Sequence, residues 1–236
     1  MAASPITAVL VHSPFLGPAS LRPLADALAA HGHPAVLLDL RPSVVSAPVH
    51  QVLLGAFADA IGEEDLAGHV VLVGHSGAGP LLPAFADALE DTVTGLVFVD
   101  AGLPTPGRSW RDTVPPSLYS ELKAASREGQ LPRWQRWFEP DPLVELVADE
   151  ELRAEIADEA PEVPVAFLKE PRPEVDWSGP TGFVALSEAY AADADEAAAL
   201  GWPVRRLASH HLAPATDPDP VAVAVLEVLG ELLTAG

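Results

Sequence analysis

The chain has 236 residues, of which 49% are hydrophobic, enough to bury the core of one domain. Lysine and arginine number 13 against 34 aspartate and glutamate, and the formal net charge of −21 would repel phosphate backbones and anionic lipid. We therefore expect no nucleic-acid partner and no membrane partner. The absence of cysteine excludes disulfides, thiolate catalysis and thiolate metal sites.

The first apolar strand has no basic leader before it, and no run of about 18 apolar residues occurs in the sequence. These two features predict a cytoplasmic protein. No histidine cluster with metal-ligand spacing is present, so we expect no metal site.

Short apolar runs rich in β-branched residues alternate with helical patterns rich in alanine and leucine. Strands are predicted at 6–11, 35–40, 69–73, 93–99, 182–186 and 204–207. Helices are predicted between them at 20–30, 49–61, 77–89, 193–200 and 218–233. This alternation predicts an α/β fold, a mostly parallel, doubly wound sheet of about six strands with flanking helices, as a single domain over 1–236.

The alternation breaks between about 103 and 180, where proline, charged residues and tryptophan are frequent. A segment of this length without secondary structure would be unusual, so we expect helices and interpret it as a helical cap insertion. Arg108 is a secondary candidate for binding a substrate carboxylate. The aromatic residues of the segment either line an apolar substrate pocket or form the core of the cap: Trp110, Trp134, Trp137, Phe138 and Trp177.

The strongest motif is an apolar strand that runs into Gly-His-Ser-Gly and then into an amphipathic helix. A serine on such an elbow has a strained backbone and needs small neighbours, which Gly74 and Gly77 provide. The turn also places the Gly77 N–H at a helix N-terminus, where it can donate to an oxyanion. Ser76 is therefore the predicted nucleophile, against the simpler interpretation of an ordinary strand-to-helix turn.

With this elbow a third of the way along, the chain resembles the α/β-hydrolase superfamily over nearly its whole length, in particular the small esterase-like and hydroxynitrile-lyase-like members. One position departs from Gly-x-Ser-x-Gly, because Ala78 replaces the last glycine. The resemblance implies a catalytic histidine after the last strand, where His210 and His211 stand. The spacing to the following Asp-Pro pair favours His211.

The acid that would orient this histidine has two candidates. The resemblance implies a carboxylate after the penultimate strand, but Tyr190 stands where an aspartate would be expected, and Glu188 is the nearest carboxylate. A second superfamily position, after the strand that follows the nucleophile helix, holds Asp100. We favour Asp100 over Glu188; a loop-fixing role for Asp100 is the remaining interpretation.

The loop after the first strand normally supplies a second oxyanion donor, and here it reads His-Ser-Pro-Phe. Pro14 has no N–H. Either the Phe15 N–H donates, or the Ser13 hydroxyl does, or the oxyanion hole is incomplete.

The resulting hypothesis is a serine-dependent hydrolase that cleaves an ester, lactone or thioester of a small apolar metabolite through an acyl-enzyme, without a cofactor. Two alternatives stay open. One is a non-hydrolytic enzyme of the same fold, a lyase, cyclase or epimerase that uses the histidine as general base. The other is a catalytically silent protein that binds a small ligand.

Overall fold

A computed structural model describes residues 6–64, 66 and 68–234. Its described residues form one parallel sheet of six strands in the order β2-β1-β3-β4-β5-β6. The predicted α/β fold is confirmed. The strands are β1 (Ile6–Val11), β2 (Ala35–Leu37), β3 (His69–His75), β4 (Val93–Val99), β5 (Thr181–Ala185) and β6 (Val204–Arg206).

Helices cover both faces of the sheet. They are α1 (Arg22–Ala30), α2 (Val49–Gly62), α3 (Leu82–Ala88), α4 (Pro116–Ala125), α5 (Pro142–Leu146), α6 (Glu150–Glu159), α7 (Ala191–Ala199), α8 (Ala213–Thr216) and α9 (Pro218–Thr234). None of these described helices has both the length and the apolar composition needed to cross a bilayer.

The strand residues alternate between two hydrophobic cores. In β1, Val9 and Val11 pack with α2 and α3 on one face, while Ala8 and Leu10 pack with α1 and α9 on the other. Because both faces are buried, the strand reads as a continuous apolar run and not as an apolar–polar alternation. Burying each valine or leucine side chain contributes about 1.5–3 kcal/mol.

The helix predicted at 77–89 is divided in two. Ser76–Leu81 forms a 3₁₀ helix, and α3 begins only at Leu82. Pro80 lies inside the first part, where it has no N–H to donate and its ring opposes a regular α-helical turn. A second proline, in the first turn of α3, is tolerated there.

The segment between β4 and β5, which we call the insertion, contains α4, α5 and α6 together with short 3₁₀ helices. These are Trp110–Thr113, Trp134–Trp137 and Val165–Lys169. Its interpretation as a cap stays a prediction.

Candidate active site

The strand order places the site. β1 lies between β2 and β3. After β1 the chain forms β2 on one side of it and then crosses to form β3 on the other side. In such sheets ligands bind in the crevice outside the carboxyl ends of the strands at this switch point. Ser13 follows β1, Ser76 follows β3 and Asp100 follows β4. Three of the predicted site residues therefore share this edge.

Ser76 has the backbone of a strained elbow. Its φ is 58°, in the left-handed region that few residues other than glycine adopt. The turn is closely packed beneath it, since a Cβ on Gly74 would lie 2.8 Å from the Leu82 side chain. A larger residue at this position would displace the Leu82 side chain, so Gly74 allows α3 to approach the end of β3.

His211 lies between Ser76 and Asp100. Its Nε2 is 3.0 Å from the Ser76 Oγ, and its Nδ1 is 2.7 Å from the Asp100 Oδ2. A carboxylate only accepts, so Nδ1 carries the proton and Nε2 is free to accept from the serine hydroxyl. The structure thus brings the three predicted residues into one hydrogen-bonded chain.

Asp100 is fully buried and has φ 43°. Its Oδ1 accepts from the backbone N–H groups of Leu186 (2.8 Å) and Ser187 (2.9 Å), and the Ser187 hydroxyl donates to Oδ2 at 2.6 Å. Burial alone would raise the pKa of Asp100, but the hydrogen bonds from His211, Ser187 and Leu186 outweigh it and lower the pKa. The loop-fixing role and the contact with His211 are combined in one carboxylate.

Glu188, the other candidate acid, lies in the 3₁₀ helix Glu188–Tyr190 with its side chain exposed. The His211 Nδ1 is occupied by Asp100 instead. His210 is turned away from Ser76, because its ring contacts the Leu212 N–H at 3.3 Å and the Thr216 hydroxyl at 3.2 Å.

His75 packs beneath His211, with ring centroids 4.6 Å apart. Its Nε2 donates to the His211 carbonyl oxygen at 2.9 Å. Burial, followed by the charge of His211, lowers the pKa of His75 to about 3. His75 is therefore neutral at neutral pH and fixes the backbone at the base of the site.

Tyr190 is a site residue whose contact the sequence did not indicate. Its ring stacks on the His211 ring, with the two ring centroids 5.4 Å apart, and its hydroxyl interacts with the Ser76 side chain. Burial raises the pKa of Tyr190 to about 12. The signal lay in its position, because it stands where the sequence suggested an acid beside the histidine.

The loop after β1 meets the elbow at Gly77. The Phe15 N–H donates to the Ser13 Oγ at 3.3 Å, and the Leu16 N–H closes the turn on the Ser13 carbonyl at 3.0 Å. A Cβ on Gly77 would lie 2.9 Å from that same Oγ. The structure thus places the Ser13 hydroxyl against the Gly77 backbone, with Phe15 directly behind it.

A cavity of about 710 Å³ opens beside Ser76. Trp110 and Tyr190 contribute its aromatic surface, and its lining carries charged side chains, among them Arg108, Arg172 and Asp112. The other tryptophans differ in position. The ring centroid of Trp134 lies 6.0 Å from that of His211, and the ring centroid of Trp137 lies 4.7 Å from that of Phe15. Trp177 lines a separate groove. Across the described part of the chain, no cluster of three potential metal ligands occurs.

No protein-family model matches the chain, and no curated protein matches it with significance. Solved structures do. An extracellular alpha/beta-hydrolase from a Paenibacillus species is 20% identical, with a TM-score of 0.76 over 95% of this chain and 99% of that one. Polyneuridine aldehyde esterase is 16% identical, with a TM-score of 0.71 over 95% and 99%.

Tomato methylketone synthase I, solved with 2-tridecanone, is 16% identical, with a TM-score of 0.69 over 97% of this chain and 99% of that one. Nearly the whole length of each chain takes part in these alignments, so the likeness includes the insertion as well as the sheet. From its parallel sheet, its serine elbow and these structural neighbours, we conclude that the chain has the α/β-hydrolase fold.

Proposed function

We propose that this protein is a serine-dependent hydrolase of carboxylic esters. The observation that carries the proposal is the hydrogen-bonded chain from Ser76 through His211 to Asp100, at 3.0 and 2.7 Å. The structural neighbours include an esterase and a hydrolase, which is consistent with this activity.

In the proposed mechanism, His211 removes the Ser76 proton while Ser76 attacks the carbonyl carbon of an ester, lactone or thioester. Asp100 holds the ring in the required tautomer and stabilises the imidazolium. His211 then protonates the leaving group, and water hydrolyses the acyl-enzyme by the same proton transfers in reverse. These residues suffice for the reaction without a cofactor.

The Gly77 N–H is the first proposed oxyanion donor, since it lies directly after the nucleophile at the start of a helix. For the second donor we favour the Ser13 hydroxyl over the Phe15 N–H. The Phe15 N–H already donates to the Ser13 Oγ, and that Oγ lies beside Gly77, 2.9 Å from the position that a Cβ would take there.

The test compares hydrolysis of p-nitrophenyl esters by the wild type and the Ser76→Ala variant. We expect the variant to lose a thousandfold or more in kcat, because the nucleophile is gone. A serine-directed phosphonate should label Ser76 in the wild type, as read by mass spectrometry. Ser120→Ala removes an exposed hydroxyl on α4 and serves as the matched control. A fully active Ser76→Ala enzyme would overturn the proposal.

A second candidate function is non-hydrolytic chemistry with His211 as general base. Pro14 favours it, because the usual N–H donor is missing from the loop after β1. This candidate predicts no burst of nitrophenol and a larger loss of activity in His211→Ala than in Ser76→Ala. Pre-steady-state measurement of nitrophenol release distinguishes the two candidates.

A further inference from the structure

Arg172 is a buried cation in the wall of the candidate active site. It lies in the loop between the 3₁₀ helix Val165–Lys169 and β5, and only 7% of the residue is exposed. It lines the main cavity together with Ser76. It also lines a small adjoining cavity together with Gly77 and Phe15. A positive charge thus borders the space in which a substrate of Ser76 would sit.

The partners of this guanidinium are neutral. Its Nη1 donates to the Thr105 hydroxyl, and its Nη2 contacts the Thr113 hydroxyl at 3.4 Å. Within the described ranges, no carboxylate lies within 4 Å of it to form an ion pair. A guanidinium has five N–H donors, so these two hydroxyls leave donor capacity for a ligand.

A second arginine stands next to it. The Arg172 N–H donates to the Arg108 carbonyl oxygen at 3.0 Å, and the Gly107 N–H donates to the Arg172 carbonyl oxygen at 3.2 Å. The Arg108 side chain also lines the main cavity. The two backbone bonds therefore bring two cationic side chains to the same wall.

The charge of Asp112 partly offsets that of Arg172, but the two side chains form no ion pair. Burial, followed by the charge of Arg108, lowers the pKa of Arg172 to about 10, so the group stays protonated at neutral pH. Asp112 also lines the cavity, but its Oδ2 accepts from the Ser109 N–H and hydroxyl and its Oδ1 from Arg111. A buried cation without a paired carboxylate is costly to the fold, and an anionic ligand would offset that cost.

We propose that Arg172, with Arg108, binds a free carboxylate of the substrate, so that Ser76 acts on esters that also carry a carboxylate. This inference rests on the proposed ester hydrolysis and names its substrate class. The planar guanidinium fork fits a carboxylate with two parallel hydrogen bonds. Asp112, Asp193 and Glu196 also line the cavity and would oppose a doubly charged phosphate more than a singly charged carboxylate.

The experiment uses two esters with the same acyl chain: mono-p-nitrophenyl glutarate, which has a free carboxylate, and its neutral methyl ester. The readout is the ratio of kcat/KM for the acidic and the neutral ester. We expect a ratio above one for the wild type. In Arg172→Met the ratio should fall about 10- to 100-fold, mainly through KM, as for the loss of charge-assisted hydrogen bonds.

Arg127→Met is the matched control, because Arg127 is exposed on a turn of the insertion and does not line the cavity. Its ratio should equal that of the wild type. If Arg172→Met lowers kcat/KM equally for the two esters, the ratio stays unchanged. That result would overturn the inference while leaving Ser76-dependent hydrolysis intact.

Binding is measured separately by calorimetry with glutaramate, which carries a single carboxylate and no ester, so that the readout does not depend on turnover. Arg172→Met should weaken glutaramate binding at least tenfold, and an unchanged Kd would contradict the inference even if neither ester is hydrolysed. Inorganic phosphate is titrated in parallel. Tighter binding of phosphate than of glutaramate would overturn the assignment of a carboxylate.

Discussion

Ser76 and Asp100 both have backbones in the left-handed region, with φ 58° and 43°. Each such residue costs of order 1–3 kcal/mol, and the surrounding structure must hold it in place. For Asp100 the restraint is visible, because Leu186 and Ser187 bind its carboxylate. Both strained residues contact the same imidazole, that of His211.

Replacing the Asp100 carboxylate by an amide tests its role. In Asp100→Asn the side chain keeps its size but can donate to His211 Nδ1, which favours the wrong tautomer. We expect kcat for a p-nitrophenyl ester to fall about a thousandfold or more. Glu188→Gln, on the exposed neighbouring carboxylate, should remain within about twofold of the wild type. The opposite pattern would identify Glu188 as the acid.

Ser13→Ala distinguishes the two candidate oxyanion donors. If the hydroxyl donates to the oxyanion, its removal should lower kcat about a hundredfold to a thousandfold with little change in KM. If the Phe15 N–H is the donor, the same change releases it from the Ser13 Oγ, and kcat should hold or rise. Steady-state kinetics on one neutral ester separates these outcomes.

At the scale of elements, the 3₁₀ helix after Ser76 packs closely on the turn after β4. A Cβ on Gly79 would lie 2.5 Å from the Gly102 carbonyl oxygen and 2.7 Å from the Ala101 Cβ. This contact fixes the spacing between the elements that carry Ser76 and Asp100.

Gly79→Ala should therefore separate these two elements. We expect unfolding to be easier by about 1–3 kcal/mol, the usual cost of overpacking, together with a loss of kcat. Gly55→Ala is the control, since this exposed residue of α2 has open space for a Cβ and should be neutral or stabilising by up to about 1 kcal/mol. Chemical denaturation of both variants provides the measurement. Similar stabilities would contradict the proposed contact.

The strands and the elbow could be predicted from the sequence because their signals are local. Apolar runs predict the strands, and Gly-His-Ser-Gly after such a run predicts the turn that carries Ser76. The sequence favoured Asp100 over Glu188 but left both open, because the choice depends on which carboxylate faces His211 across the sheet edge. Arg172 was missed for a related reason, because the side chains that it contacts, Thr113 and Thr105, lie 59 and 67 positions earlier in the chain.

At the scale of the whole molecule, 34 acidic against 13 basic side chains produce net repulsion in the folded state. Salt shortens the range of this repulsion, with a Debye length of about 10 Å at 0.1 M ionic strength. The lack of nucleic-acid and membrane partners remains a prediction from this charge, and the location in the cytoplasm is a separate prediction.

We expect the melting temperature at pH 7 to rise when NaCl is increased from 10 to 500 mM. Salt also weakens the attraction within surface ion pairs, but we expect the reduced repulsion among the excess negative charges to have the larger effect on the melting temperature. Sodium sulfate at equal ionic strength is a poor control, because sulfate strengthens apolar burial; potassium chloride is the suitable one. A melting temperature that falls with either chloride would contradict net repulsion.

The two backbone hydrogen bonds between 107–108 and Arg172 have a consequence for how this protein can diversify. They join the outgoing and returning ends of the insertion, so the chain between them is a closed loop anchored outside β4 and β5. The entropy of closing a loop depends only weakly on its length, but Leu131 and Phe167 of this stretch pack in the same hydrophobic core as Phe98 of β4, so only its exposed positions can change at small cost to the sheet. Exposed positions of the insertion can therefore vary while the junction keeps Arg108 and Arg172 at the wall of the main cavity.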